Sequence, residues 1–209
     1  MTDLPTASSD TWNTPATLIE LVRRVMRGID VDPATNAGAQ AVIRAATFYT
    51  LETDGLAHDW HGRVFLNPPY SDPAPFVMRL LGEYDADNTT EAIALVNART
   101  GSAWFQALAV RAWRCELRAR VRFWRPDRLE GSVGRLSSVV FYLGPNARRF
   151  VNVFGSEGVT SPPASRNAPT CSICSGPIVS SRADAAYCSG ACRQKAFRSR
   201  KKPGPPFAA

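Results

Sequence analysis

The run Arg63-Val64-Phe65-Leu66 stops against Asn67-Pro68-Pro69-Tyr70. Its apolar residues lack the spacing of a half-exposed strand, and two prolines stiffen the turn that ends it, so it reads as a buried strand with a rigid exit. Ala92-Ile93-Ala94-Leu95-Val96 is a second run of this kind, and Ile29-Asp30-Val31-Asp32 a shorter one that stops at Pro33. Between them the apolar period is helical. Thr14 as N-cap and Pro15 at the first helical position predict a helix that buries Leu18, Ile19, Leu21, Val22, Val25 and Met26. Further helices are predicted over 37–46, 74–84 and 101–113. Leu117 to Trp124 alternates strictly, with Arg118, Arg120 and Arg122 on the outer side, and predicts a half-buried strand. Ser138 to Tyr142 is its expected hairpin partner, across a loop that holds Gly131 and Gly134. Helices that alternate with strands and close on a late hairpin predict an α/β sheet with helices on both faces.

Charge is distributed unevenly along the 209 residues. Residues 1–98 carry 6 Arg and 13 acids, residues 99–165 carry 11 Arg and 4 acids, and residues 166–209 carry 8 Lys or Arg with one acid. An acidic part beside two basic ones fits a cofactor-binding region next to two surfaces for a polyanion; uneven surface charge without a partner is the plainer alternative. A chain that is 44% hydrophobic and 21% charged is that of a folded domain. No apolar run approaches the roughly 18 residues of a membrane-spanning helix. The start, Met1-Thr2-Asp3-Leu4-Pro5, lacks the basic and apolar stretches of a secretory signal, and a cytoplasmic location is expected.

The tetrapeptide Asn67-Pro68-Pro69-Tyr70 resembles the catalytic motif of amino-methyltransferases that act on adenine, cytosine-N4 or protein glutamine. The chemistry suits it. An exocyclic amine on an aromatic ring is a poor nucleophile because the ring delocalises its lone pair. Two acceptors, the Asn67 side-chain oxygen and the Pro68 carbonyl, bind its two protons and favour a pyramidal nitrogen, placing developing positive charge against fixed dipoles. The proline holds the loop, and Tyr70 offers a face on which an extruded base stacks. The same tetrapeptide also makes a stiff turn without any chemistry.

Other segments extend the resemblance. Thr14-Pro15, Val31-Asp32-Pro33-Ala34, Thr53-Asp54-Gly55-Leu56, the stretch from Asp59 to Tyr70, and Leu95 to Thr100 followed by Trp104-Phe105 occur in one order. As a set, over about residues 11–155, they resemble the phage-type DNA adenine-N6 methyltransferase (Dam) family. That resemblance implies a Rossmann-like sheet, S-adenosylmethionine as cofactor and DNA as partner. It implies Thr14 and Pro15 at the cofactor's amino-acid end, Asp32, Pro33 and Ala34 in a reduced cofactor motif, and Asp54 at its adenine. One departure stands out: Thr35-Asn36-Ala37-Gly38 offers a single glycine where a glycine-rich loop is usual. A helix cap for Asp32 and a turn for Asp54 are the structural alternatives. His58 and His61 flank Trp60 without a carboxylate pair and are not read as metal ligands.

The last part of the chain has a separate logic. Cys171-x2-Cys174-x13-Cys188-x3-Cys192 has spacings that suit one tetrahedral structural zinc, and the segment from Tyr187 to Lys202 resembles small treble-clef or ribbon-like zinc fingers. A unit this small lacks a sufficient core, so metal would supply much of its folding energy. Arg193, Lys195, Arg198, Arg200, Lys201 and Lys202 form its phosphate-binding surface, and Arg99, Arg118, Arg120 and Arg122 that of the main domain. The predicted organisation is a flexible lead-in at 1–11, a catalytic domain at 12–155, a linker at 156–170, a basic zinc module at 171–202 and a disordered tail at 203–209. The expected function is site-specific adenine-N6 methylation of DNA. A cytosine-N4, RNA or protein amino-methyltransferase and a non-catalytic zinc-containing DNA-binding protein are the rivals.

Overall fold

The computed structural model describes residues 12–125, 128–133, 136–164, 171–173, 186–187 and 190–200. The chain divides into two compact units, Met1–Ala164 and Ser165–Ala209. The first unit opens with helix α1 (Ala16–Met26), strand β1 (Val31–Asp32), helix α2 (Ala37–Ile43) and strand β2 (Thr47–Phe48). A 3-10 turn (Gly55–Ala57), β3 (Gly62–Leu66), α3 (Ala74–Asp85), β4 (Thr89–Asn97) and α4 (Ala103–Ala109) follow. Then come β5 (Trp113–Leu117), a hairpin of β6 (Arg122–Arg125) and β7 (Arg128–Val133), β8 (Ser138–Leu143), α5 (Ala147–Phe154) and β9 (Gly158–Ser161). The second unit contributes α6 (Gly190–Arg200).

Seven strands form one sheet in the order β2-β1-β3-β4-β8-β5-β9. Strands β1 to β4 are parallel, β8 runs antiparallel between β4 and β5, and β9 pairs antiparallel with β5. Period-2 alternation sorts the side chains between two cores. Phe65, Ile93, Leu95, Val140 and Tyr142 pack with apolar residues of α1, α2 and α5. Val64, Leu66, Ala94, Val96 and Phe141 face Trp60 and the buried residues of α3 and α4. The alternating α/β reading with helices on both faces therefore holds for the first unit.

Several boundaries differ from expectation. Pro15, with extended backbone, is itself the N-cap of α1 and makes no side-chain cap bond. The helix expected over 101–113 ends at Ala109, because Trp113 already belongs to β5. The alternating run 117–124 is divided between two ladders. The last pair of β5 joins Leu117 to Gly158; the chain bends over 118–120, and Arg122 begins β6. Its pattern survives in part: Val121 and Phe123 turn into the first core and Arg118, Arg120 and Arg122 are exposed, but Ala119, expected on the buried face, is exposed as well. Accordingly β8 pairs with Trp113 to Glu116, upstream of the segment expected. Gly131 lies in β7, where a loop was expected, and Gly134 lies outside the described residues. The expected linker from 156 begins instead with β9, which closes the sheet edge, and the unit boundary moves to Ala164.

Two glycines make the packing testable. A Cβ at Gly55 would stand 1.9 Å from the Pro33 carbonyl oxygen, whereas one at Gly82, inside α3, would meet nothing within 4 Å. Gly55→Ala should lower the unfolding free energy by about 2 kcal/mol or more, and Gly82→Ala should raise it by about 0.5–1 kcal/mol. Urea titration followed by circular dichroism reads both, and equal effects would contradict this packing.

Candidate active site

Strand order reverses beside β1: β2 lies on one side of it and β3 with β4 on the other. In open α/β sheets the crevice at such a reversal, beyond the carboxyl ends of the strands, is where ligands bind. Asp32 ends β1, and Asn67 directly follows β3. The predicted cofactor and catalytic motifs thus leave neighbouring strands at the same end of the sheet.

Asn67 is half-buried and Pro68 buried. The Asn67 Nδ2 donates to the Trp12 carbonyl at 3.2 Å and to the Thr14 Oγ1 at 3.4 Å. Its Oδ1 is buried and has no hydrogen-bond partner. A buried acceptor is almost always satisfied, so one left over at the mouth of a sheet marks a place for an external donor. Nearby, the Asn13 Oδ1 accepts from the Asn36 Nδ2 at 2.7 Å, while the Asn13 Nδ2 is buried without a partner. Tyr70 meets Phe123 edge to face at 5.7 Å, and burial pushes its phenol above the ordinary range. Pro68, Tyr70, Asn97, Arg99 and Trp104 line a small cleft beside the motif. A wider groove of about 350 Å³ brings Arg120 and Arg122 to Pro15 and Thr17.

The Asp32 carboxylate is buried at 1% exposure. Its Oδ2 accepts from the Gln40 Nε2 at 2.8 Å, and its Oδ1 from the Ala34 N–H at 3.5 Å. Gln40 also bonds Thr35 at 3.2 Å and accepts from the Ala45 N–H at 3.0 Å, fixing the amide in one orientation. Desolvation by burial pushes the Asp32 carboxyl up to about 7, against hydrogen bonds from Thr35, Ala34 and Gln40 that pull it down. The cap of α2 is Asn36, whose side chain accepts from the Ala39 N–H, so the helix-cap alternative for Asp32 is set aside. Asp32 instead gathers the turn Pro33-Ala34-Thr35.

Asp54 adopts φ 46°, and its side chain accepts from the Leu56 N–H at 3.0 Å. It is a turn residue, as the structural alternative had it, yet the turn lies against the β1 exit. Gly55 packs on the Pro33 carbonyl, Tyr49 donates to the Asp32 carbonyl at 3.0 Å, and Thr35 donates to the Tyr49 carbonyl at 3.0 Å. His58 stacks on Tyr49 at 4.3 Å. The site therefore gathers Thr14, Pro15, Asp32, Pro33, Ala34 and Asn67 to Tyr70, with Arg99 exposed at its edge. The expectation from sequence missed Trp12, Asn13, Asn36, Gln40 and Phe123. Only Asn36 carried a local signal, a cap residue ahead of an apolar period; Gln40 acts through Asp32, Thr35 and Ala45 nearby, and the others through distant partners.

In the second unit, Cys171 is buried and Cys192 half-buried near the start of α6. The Ser172 N–H reaches the Ala186 carbonyl at 3.5 Å, which brings the chain after Cys171 to the chain before Cys188. Cys174 and Cys188 lie outside the described residues, as do Lys201 and Lys202. Arg193 and Lys195 are exposed on α6, and Arg198 and Arg200 lie in its last turn. Among the described residues no helix is long and apolar enough to cross a membrane, and no group of three or more potential metal-binding side chains occurs.

A mixed sheet, parallel from β2 to β4 and antiparallel from β4 to β9, with helices on both faces, is a methyltransferase-like α/β domain. The particular family follows from direct comparison. The family model described as "DNA N-6-adenine-methyltransferase (Dam)" matches residues 1–140, and the chain belongs to that family. The DNA N-6-adenine-methyltransferase of Haemophilus phage HP1 is 38% identical over 63 residues, 30% of this chain and 36% of the phage protein. That of Escherichia phage T1 is 31% identical over 106 residues, 50% of this chain and 42% of the phage protein. The chain thus spans well under half the length of either curated relative. Among solved structures, a putative RNA methyltransferase from Pyrococcus horikoshii aligns with a TM-score of 0.43 at 10% identity, over 67% of this chain and 89% of that one.

The state of Asp32 is open to measurement. Unfolded, its carboxyl titrates near 3.8; folded, near 7. Between these values the folded chain holds a proton that the unfolded chain lacks. Its contribution to stability is therefore full below about pH 4 and lost as pH rises to about 7. Asp32→Asn should flatten the fall in unfolding free energy across that window, by an amount on the order of a few kcal/mol. Parallel pH profiles of parent and variant, taken without cofactor, would contradict this.

Proposed function

We propose that this chain transfers a methyl group from S-adenosylmethionine to the N6 amine of adenine in DNA. The observation that carries the reading is the unpartnered, buried Oδ1 of Asn67, in a chain of the Dam family. S-adenosylmethionine, when bound, supplies a methyl group on a positively charged sulfur, a leaving group that needs no metal. The Asn67 Oδ1 and the Pro68 carbonyl would accept hydrogen bonds from the two amine N–H groups and so favour a pyramidal nitrogen with its lone pair free to react. The cofactor would supply the methyl carbon and depart as a neutral thioether, and the amine would release one proton to solvent. Tyr70 stacks the extruded base, with Asn97, Arg99 and Trp104 around it.

For the cofactor, the turn Pro33-Ala34 held by Asp32 lies at the switch crevice, with Thr14 and Pro15 against its amino-acid end. Asp54 caps its turn through one carboxylate oxygen, and the other is assigned to the adenine amine. Arg99, Arg118, Arg120 and Arg122 contact DNA phosphates. The thiols of Cys171, Cys174, Cys188 and Cys192 hold one structural zinc, a role that suits the burial of Cys171 and the place of Cys192 near the start of α6. Arg193, Lys195, Arg198, Arg200, Lys201 and Lys202 then form a second phosphate surface.

Mass spectrometry of nucleosides from DNA incubated with protein and cofactor should show N6-methyladenine. N4-methylcytosine would reassign the base, and no modified base on diverse DNA would defeat the enzyme reading. Asn67→Ala should cost at least about 100-fold in kcat, since one preorganised partner is worth about 3 kcal/mol.

Elemental analysis of protein purified without chelators should find one zinc per chain. A chain ending after Pro163 should keep its cofactor affinity but lose DNA affinity, most at low salt, because up to six cationic side chains no longer release counterions. Unchanged DNA affinity and salt dependence would make the second unit a docking or solubility element.

A further inference from the structure

We propose that the segment from Trp12 to Thr14 is a positioning element for Asn67: the Trp12 carbonyl, with the Thr14 hydroxyl anchoring the same N–H group, keeps the amide turned with its oxygen toward the reacting amine. This rests on the methyltransferase reading and adds to it what sets the direction of the catalytic dipole. An asparagine amide is nearly symmetric in shape, and a half-turn about its last torsion exchanges acceptor for donor. Reversed, Asn67 would present N–H groups to the N–H groups of the incoming amine. Its usefulness therefore depends on whatever selects one orientation.

The selecting groups are visible. The Trp12 carbonyl, 3.2 Å from the Asn67 Nδ2, can only accept, so it tolerates the nitrogen and repels the oxygen. The Thr14 Oγ1, a hydroxyl that can donate or accept, takes a bond from the same Nδ2 at 3.4 Å and anchors the amide in the orientation that the Trp12 carbonyl selects. Thr14 is 2% exposed, and α1, which it precedes, has no side-chain cap bond. A threonine ahead of a helix usually caps it; here its hydroxyl faces the catalytic turn. Both acceptors are held from outside. Asn13, between them, exchanges backbone bonds with Trp124 of β6, at 2.9 Å and 3.2 Å, and its side chain bonds Asn36 at 2.7 Å. Phe123, the next residue of β6, packs on Tyr70. Strand β6 thus braces both ends of the Asn67–Tyr70 turn, one through Thr14 and the other directly.

Thr14→Val keeps the shape and removes the acceptor, while Thr14→Ser keeps the acceptor. With full-length protein, Thr14→Val should lower kcat about tenfold, the size of one lost hydrogen bond, and Thr14→Ser should recover most of it. Both rates are read at saturating cofactor, so that any contact of Thr14 with the cofactor's amino-acid end does not enter the comparison. Asn67→Asp should also lose at least about tenfold, although it retains acceptor oxygens, because it has no N–H for Trp12 and Thr14. Preserved kcat at saturating cofactor in Thr14→Val would overturn the proposal, as would full activity of Asn67→Asp. A second readout is independent of turnover. The Asn67 side-chain amide resonances, assigned by their loss in Asn67→Ala, should shift in Thr14→Val and return in Thr14→Ser. Unshifted resonances would overturn the proposal even in an active enzyme. A parent protein without activity, but with the expected shifts, would sink the methyltransferase reading and leave the Asn67 brace standing.

Discussion

The seam between β1 and β3 holds the site together, and it is narrow. One ladder pair, Val31 with Val64, joins the two strands. Asp30 and Arg63, just below it, supply the rest. The Arg63 side chain grips the Asp30 carboxylate at 2.6 Å and 2.8 Å, the Arg63 N–H donates to the same carboxylate, and the Asp30 N–H returns a bond to the Arg63 carbonyl. The Arg63 guanidinium holds the Asp30 carboxyl below its usual range. A single exposed ion pair contributes little, but a two-pronged one tied to the backbone fixes geometry as well as charge. Its consequence lies two and four residues on, at Asp32 and Asn67, whose loops open the crevice.

Around that crevice the chain uses neutral amides more than charges. Asn13, Asn36, Gln40 and Asn67 make directional bonds without the desolvation cost that ionised groups would carry. Asp32 is the exception. Its carboxyl, raised by burial, is stabilised by hydrogen-bond donors that a ligand at the crevice can supplement. The orphaned atoms of Asn13 and Asn67 follow the same logic, since groups left unsatisfied in the interior are those that a ligand satisfies with gain.

The apolar pattern alone determined the sheet and its two cores. Runs such as Ala92 to Val96 are buried on both faces whatever their partners, and period-2 alternation then sorts Ile93 and Leu95 from Ala94 and Val96. The Asn67–Tyr70 turn was equally legible, because two prolines after a buried strand constrain the backbone locally. What was not legible depended on partners far away in the chain. The run 117–124 has one unbroken pattern but serves two ladders, and only the position of β9 decides where the first ends. The edge strand β9 itself lies in a Ser, Gly and Pro-rich stretch without a strand signal. The site divides in the same way. Local sequence determined which side chain carries the acceptor and that its strand ends there. Only the tertiary structure decided which way that acceptor faces, because the groups that turn it, the Trp12 carbonyl and the Thr14 hydroxyl, stand 55 and 53 residues earlier in the chain.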